Sequence, residues 1–181
     1  MTFDDITENG KLWAARFDGE TENELSKVFA KWNDVDWLRV FFEKNITDLN
    51  RYFKITDITQ AVMDTIDDSQ ELECVLLDLS PDADLSMLFR PLNNNEASDV
   101  LLQKEKARLN RRLKHVSWLR LYAIKLVSGI YIITGGAIKL TATMQEREHT
   151  SVELVKLEKV RRYLLDANIT DDEGFVEYLN E

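Results

Sequence analysis

The stretch Trp118-Leu119-Arg120-Leu121-Tyr122-Ala123-Ile124-Lys125-Leu126, followed by Ser128-Gly129 and then Ile130-Tyr131-Ile132-Ile133-Thr134-Gly135-Gly136, decides how the chain is read. Its first part alternates and is rich in β-branched and aromatic residues, Ser128-Gly129 is a turn pair, and the second part returns as another apolar run. That is a β-hairpin. Gly135-Gly136 falls inside a strand pattern, where glycines mark backbone that bulges, turns or is closely approached, and Ala137 to Leu140 continues the pairing.

Outward toward the N-terminus, Lys11 to Phe17 reads as a first strand closed by the turn pair Asp18-Gly19. Thr21-x-x-Glu24 has the form of a capping box, and Leu25, Val28, Phe29 and Trp32 follow at helical spacing. Trp37, Leu38, Phe41 and Phe42 begin a second helix whose apolar face Leu49, Tyr52 and Phe53 continue; this density reads as core. From Ile58 to Leu79 the pattern fits one or two helices, interrupted or bent near Asp67-Asp68-Ser69. Ser80-Pro81 breaks it, Leu85 to Phe89 reads as a helical turn, and Pro91 to Asn95 as a loop. Ser98 can cap a basic helix from Asp99 to Lys114.

Toward the C-terminus, Thr150-x-x-Glu153 opens a helix with Leu154, Leu157, Val160 and Leu164 on its apolar side, and Thr170-x-x-Glu173 opens a last one. The expected architecture is therefore α+β in a single domain over residues 1–181. A small antiparallel sheet combines an N-terminal strand at 10–17 with strands in 118–143; a mainly helical part, 20–115, is inserted between them; helices over 150–181 close the fold.

The 181 residues carry 23 Lys and Arg against 33 Asp and Glu, a net charge of −10, so the average field repels a polyanion. The distribution is uneven. Residues 101–125 hold eight cations (Lys104, Lys106, Arg108, Arg111, Arg112, Lys114, Arg120, Lys125) and one acid, Glu105, giving +7 locally and −17 elsewhere. Such a split points either to a local anionic ligand or to a solvated face that offsets acidic neighbours. With one cysteine, Cys74, and two histidines, His115 and His149, the chain suggests neither a disulfide framework nor a zinc site, and Cys74 reads as a small buried hydrophobe. No run reaches the roughly 20 apolar residues of a membrane span and no secretory leader is legible, so a cytoplasmic location without membrane contact is expected.

Thr134-Gly-Gly-Ala-Ile-Lys139 lacks the spacing of a phosphate loop and of the dinucleotide fingerprint, and no sharp Gly-x-Ser-x-Gly turn presents Ser117 beside His115. Glu146, Glu148 and His149 read as solvated charges rather than metal ligands, and no metal or cofactor is expected. What remains is cationic: Arg120, Lys139 and Arg147, with His149 and Tyr122 near them in sequence. Guanidinium and ammonium groups hold phosphates and stabilise the charge that develops when a ribose hydroxyl attacks one, while His or Tyr can move a proton.

Leu119-Arg120-Leu-Tyr122, Ile133-Thr134-Gly135, Lys139-Leu-Thr141, and His149-Thr150 with Glu153-Leu154 resemble the strand, strand and helix motifs of the RelE/ParE superfamily of small toxins, in its host-inhibition and phage Gp49-like branch, over residues 118–165. The resemblance implies a compact sheet with helices packed on it and, in active members, metal-independent cleavage of translated messenger RNA on the ribosome. It implies Arg120, Lys139 and His149 as catalytic residues. Lys104, Arg108, Arg111, Arg112, Lys114 and Arg147 would add RNA contacts, and an antitoxin would be the protein partner. The alternative is a non-enzymatic interaction module whose acidic helical part binds a protein.

Overall fold

The computed structural model describes residues 1–7, 9–77, 84–92, 101–109, 115–127 and 129–180. Among them the fold is α+β, with strands β1 (Thr2–Asp5), β2 (Leu12–Arg16), β3 (Phe89–Pro91), β4 (Gln103–Ala107), β5 (Leu119–Lys125) and β6 (Tyr131–Ile138) in one sheet of order β1-β2-β6-β5-β4-β3. Helices α1 (Glu24–Trp32), α2 (Val35–Lys44), α3 (Ile46–Phe53) and α4 (Ile58–Leu77) precede β3, and α5 (Glu148–Asp166) and α6 (Asp172–Asn180) follow β6. No helix among the described residues is long and apolar enough to cross a membrane.

The hairpin is β5 and β6. Their register runs from Lys125↔Tyr131 to Ala123↔Ile133, then jumps to Tyr122↔Gly135, so Thr134 is the extra residue of a bulge. The bulge is held by Thr134, whose hydroxyl donates to the Tyr122 carbonyl at 3.3 Å. Gly135 takes φ +152°, a conformation in which a side chain is strained. The sequence reading of the glycine pair thus resolves in favour of a bulge.

Successive residues of β5 point to opposite faces, and both faces are covered. Leu119, Leu121 and Ala123 join the core built by α1 to α4, whereas Tyr122 and Ile124 join a second core with Leu157, Val160 and Leu164 of α5 and Phe175 of α6. The expected N-terminal strand is β2, extended by β1 as its antiparallel hairpin partner. The sheet is mixed rather than wholly antiparallel, because β2 pairs parallel with β6 from Leu12↔Tyr131 to Ala14↔Ile133. The helices lead from β2 to β3 at the far edge of the sheet, and three successive antiparallel steps, β3 to β4 to β5 to β6, bring β6 back beside β2 in the same direction.

The basic helix is the main correction. Gln103–Ala107 is a strand, paired antiparallel with β5 from Gln103↔Lys125 to Ala107↔Leu121. Gln103, Glu105 and Ala107 point inward in alternation; two of the three are polar, so the strand carries no hydrophobic period. Phe89–Pro91, read as turn and loop, pairs with it as β3. Leu101, Leu102, Arg108 and Leu109 are likewise not helical; the cap Ser98, the helix residues Asp99, Val100 and Asn110 to Lys114, and the loop at Asn93 to Asn95 lie outside the described residues.

Smaller readings also change. Helix α4 runs unbroken through Asp67-Asp68-Ser69: Thr65 returns its hydroxyl to the Ala61 carbonyl at 2.7 Å, and Ser69 accepts from Asn33 Nδ2 at 3.0 Å. Cys74 on that helix is exposed, not buried. None of the three expected capping boxes forms; at α6 it is Asp171, not Thr170, that accepts from the Gly174 N–H, at 2.9 Å. Asn23 caps α1 by accepting from Ser26 N, while Glu24 turns inward to Lys27 and Lys156. Thr150 is buried in the first turn of α5 and donates to the Met144 and Arg147 carbonyls.

A cationic cavity as candidate functional site

Strand alternation and register assemble the site. Lys106 on β4 stands opposite Arg90 on β3 and opposite Tyr122 on β5, and directly paired residues share a face. Arg120 is two residues from Tyr122 and opposite Ala137; Arg108 is two residues past Lys106. Lys139 lies two past Ala137, with its backbone N–H donating to the Trp118 carbonyl at 2.8 Å to prolong the ladder. Period two therefore puts all five cations on the α5 side of the sheet.

They line one cavity of about 440 Å³. Met87, Leu88 and Leu92 form one lip, and Ala142 to Gln145 with Leu154 form the other; among its described lining residues there is no carboxylate. The second lip is anchored from the opposite face of the sheet, where Arg147 forks onto Asp48 of α3 through Nε (2.6 Å) and Nη2 (2.7 Å). Within the lip, Thr143 donates from its N and its hydroxyl to Glu146. Lys139 donates to the Ala142 carbonyl at 2.6 Å, and Lys106 to the Leu92 carbonyl at 2.8 Å.

Like charges held together in a half-buried concavity disfavour their own protonation. Burial, then the Arg108 guanidinium, lowers Arg120 to about 10, which leaves it charged at neutral pH. Burial, then Arg120 and Arg108, lowers Lys106; burial, Arg120 and Lys106 lower Lys139, against a weaker opposing pull from Glu146. Arg120 is fixed by two Nη1 hydrogen bonds, to the carbonyls of Ser117 and Leu119, each 2.6 Å. Tyr122 is 1% exposed, and its hydroxyl has no hydrogen-bond partner among the described residues. Burial pushes this phenol well above its ordinary range, so it remains a donor.

The expected site residues divide. Arg120, Lys139 and Arg108 meet in the cavity. His149 does not: its Nε2 lies 3.0 Å from the Ile138 carbonyl, its ring packs edge-on against Phe41, and burial lowers its pKa. Arg147 is engaged by Asp48, and Lys104 is paired with Glu158 of α5 at 2.9 Å. Arg111, Arg112 and Lys114 lie outside the described residues. Arg90 and Lys106 belong to the cavity and were not singled out from sequence, because only the pairing of β3, β4 and β5 brings them to Arg120. The sequence held little signal for them: Phe89-Arg90-Pro91 is only three residues long, and Gln103 to Ala107 turns two polar residues inward.

The described residues contain no group of three or more His, Cys, Asp or Glu side chains able to hold a metal ion. Compared with protein-family models, with curated proteins and with solved structures, the chain finds no match.

Proposed function

We propose that the protein engages RNA through this cavity, as a RelE-like toxin or toxin-derived protein acting on RNA or on the translation machinery. One observation carries the reading: Arg90, Lys106, Arg108, Arg120 and Lys139 converge on a single concavity with no lining carboxylate among the described residues, in a chain whose net charge is −10. An acidic protein that concentrates cations against their mutual repulsion builds a local attractor for phosphate. The toxin resemblance assigns Arg120 and Lys139 to phosphate contact, and both line the cavity.

The reading extends to metal-independent cleavage by groups on the cavity wall. Attack of a ribose 2′-hydroxyl on the adjacent phosphorus forms the P–O2′ bond, breaks the P–O5′ bond, and requires a proton acceptor and a proton donor. Only the neutral form of Lys139, which burial and its cationic neighbours favour, is able to accept that proton, and the protonated Tyr122 hydroxyl is the donor. Arg120 and Arg108 offset the charge on the phosphorane. His149 has no part in this arrangement.

The test is fluorescence anisotropy with a labelled single-stranded RNA across a salt series. Binding should weaken with rising salt, and Lys139→Gln and Arg90→Ala should each lower affinity about tenfold and flatten the salt slope by about one ion. Absence of RNA binding at low salt by a folded protein sinks the proposal. Cleavage is read separately, by mapping RNA ends in a translating extract. The second reading, a protein-interaction module, draws on Val35, Trp37 and Val40, exposed apolar side chains of α2 on the helical half. A stable complex that survives cavity substitutions, without RNA binding, favours it.

A further inference from the structure

We propose that the cavity receives a compact polyphosphate group, the di- or triphosphate of a nucleotide or of an RNA 5′ end, rather than phosphodiesters along an RNA chain. The proposal rests on the phosphate reading above and narrows it. A phosphodiester brings one negative charge, and neighbouring diesters are spread along the backbone. Five cations on one face of a four-strand patch, in about 440 Å³, match an anion that concentrates several charges in one small volume.

Two features besides charge fit this ligand. The Tyr122 hydroxyl is buried, without a described partner, and on the same sheet face as Lys106 and Arg120. An orphaned donor on the wall of a cationic cavity is satisfied by an anion oxygen that reaches the cavity wall. Met87 stands 82% exposed at the mouth beside Leu88 and Leu92. That apolar lip offers a flexible surface to the nucleoside attached to the polyphosphate, with the thioether of Met87 against the base.

The experiment is calorimetric titration of the full chain, in metal-free buffer, with inorganic tripolyphosphate, pyrophosphate and orthophosphate. Tripolyphosphate is expected to bind about tenfold more tightly than orthophosphate, since it engages at least one further charge-assisted donor. Tyr122→Phe should weaken tripolyphosphate several-fold while the melting temperature is held or raised, because the substitution removes a buried hydroxyl that nothing satisfies. Arg90→Ala, at an exposed strand position, serves as the variant that leaves the core untouched. Equal affinity for tripolyphosphate and orthophosphate, or undiminished binding by both variants, overturns the proposal.

Competition then separates the sources. Tighter binding of 5′-triphosphate RNA than of 5′-hydroxyl RNA, displaced by tripolyphosphate, identifies an RNA end; tight ATP or GTP binding without that preference identifies a nucleotide. Binding of 5′-hydroxyl RNA that tripolyphosphate does not displace overturns this inference and leaves RNA engagement standing. Tripolyphosphate binding without any RNA binding does the reverse.

Discussion

Gly136 shows how little room the centre of the sheet leaves. A Cβ there would lie 2.9 Å from the Arg120 carbonyl oxygen and 2.9 Å from Val28 Cγ1, with Trp32 at 3.1 Å. One of the three is backbone and cannot yield cheaply. Gly136→Ala should therefore cost about 1–3 kcal/mol in urea unfolding, the range of an overpacked core. The glycines were legible as a conformational signal, but not the approach of α1 that makes the second one obligatory. Glu105, the one acid among the cations of residues 101–125, shows no sign of burial in the sequence. It is 3% exposed, and burial pushes its carboxyl up to about 7 despite Lys125 and Lys106. A folded value above the unfolded one means that stability is fully present below the ordinary carboxylate range and is lost as pH rises toward 7. Glu105→Gln is expected to remove that decline, so its gain in melting temperature should be larger at pH 8 than at pH 5. An equal gain at both values would show that ionisation is not the cost.

At the scale of elements, the hairpin of β5 and β6 was readable because its strands are apolar on both faces and its turn and bulge carry glycine. The strand β4 was not. Its inward Gln103 and Glu105 hide the alternation, and its Lys, Glu and Ala residues favour helix when taken alone. Pairing with β3 and β5 overrides that preference, and pairing is nonlocal information. The same holds for the lip between β6 and α5. Its anchor joins Asp48 to Arg147 across 99 residues of sequence. The Arg147 hydrogen bonds hold the Asp48 carboxyl below its ordinary value. Arg147→Ala should lower stability at neutral pH, since it removes both guanidinium hydrogen bonds from the Asp48 carboxylate. A depressed carboxylate contributes stability above its unfolded pKa and loses it as pH falls through the folded value. The gap between variant and unaltered protein should therefore close in acid. The variant should also bind RNA more weakly, because the lip it loosens carries Ala142 to Gln145 on the cavity wall.

For the whole molecule, the site is a concentration of like charge that the fold must tolerate. Sequence counting located the imbalance within residues 101–125 and picked Arg120 and Lys139 as a pair. It could not count Arg90, which arrives from another part of the chain, or remove Lys104 and Arg147, which acidic partners engage. The energetic consequence is testable without knowing the ligand. Lys106 and Lys139 are both lowered from the ordinary lysine value by burial and by neighbouring cations. Between the lowered and the ordinary value the unfolded chain binds more protons, so stability should rise as pH climbs toward the ordinary lysine value. Replacing one of these charges should have a similar effect at neutral pH. Lys139→Gln is expected to raise stability by roughly 1 kcal/mol at low ionic strength, about 2–4 °C in melting temperature for a chain of this size. The gain should shrink as salt screens the repulsion. The same substitution should weaken phosphate binding, so stability and affinity move in opposite directions, as they do where a fold keeps strain for use. A Lys139→Gln protein that is destabilised at low salt would mean that the cavity cations are already neutralised within the fold, and the attraction for phosphate would go with them.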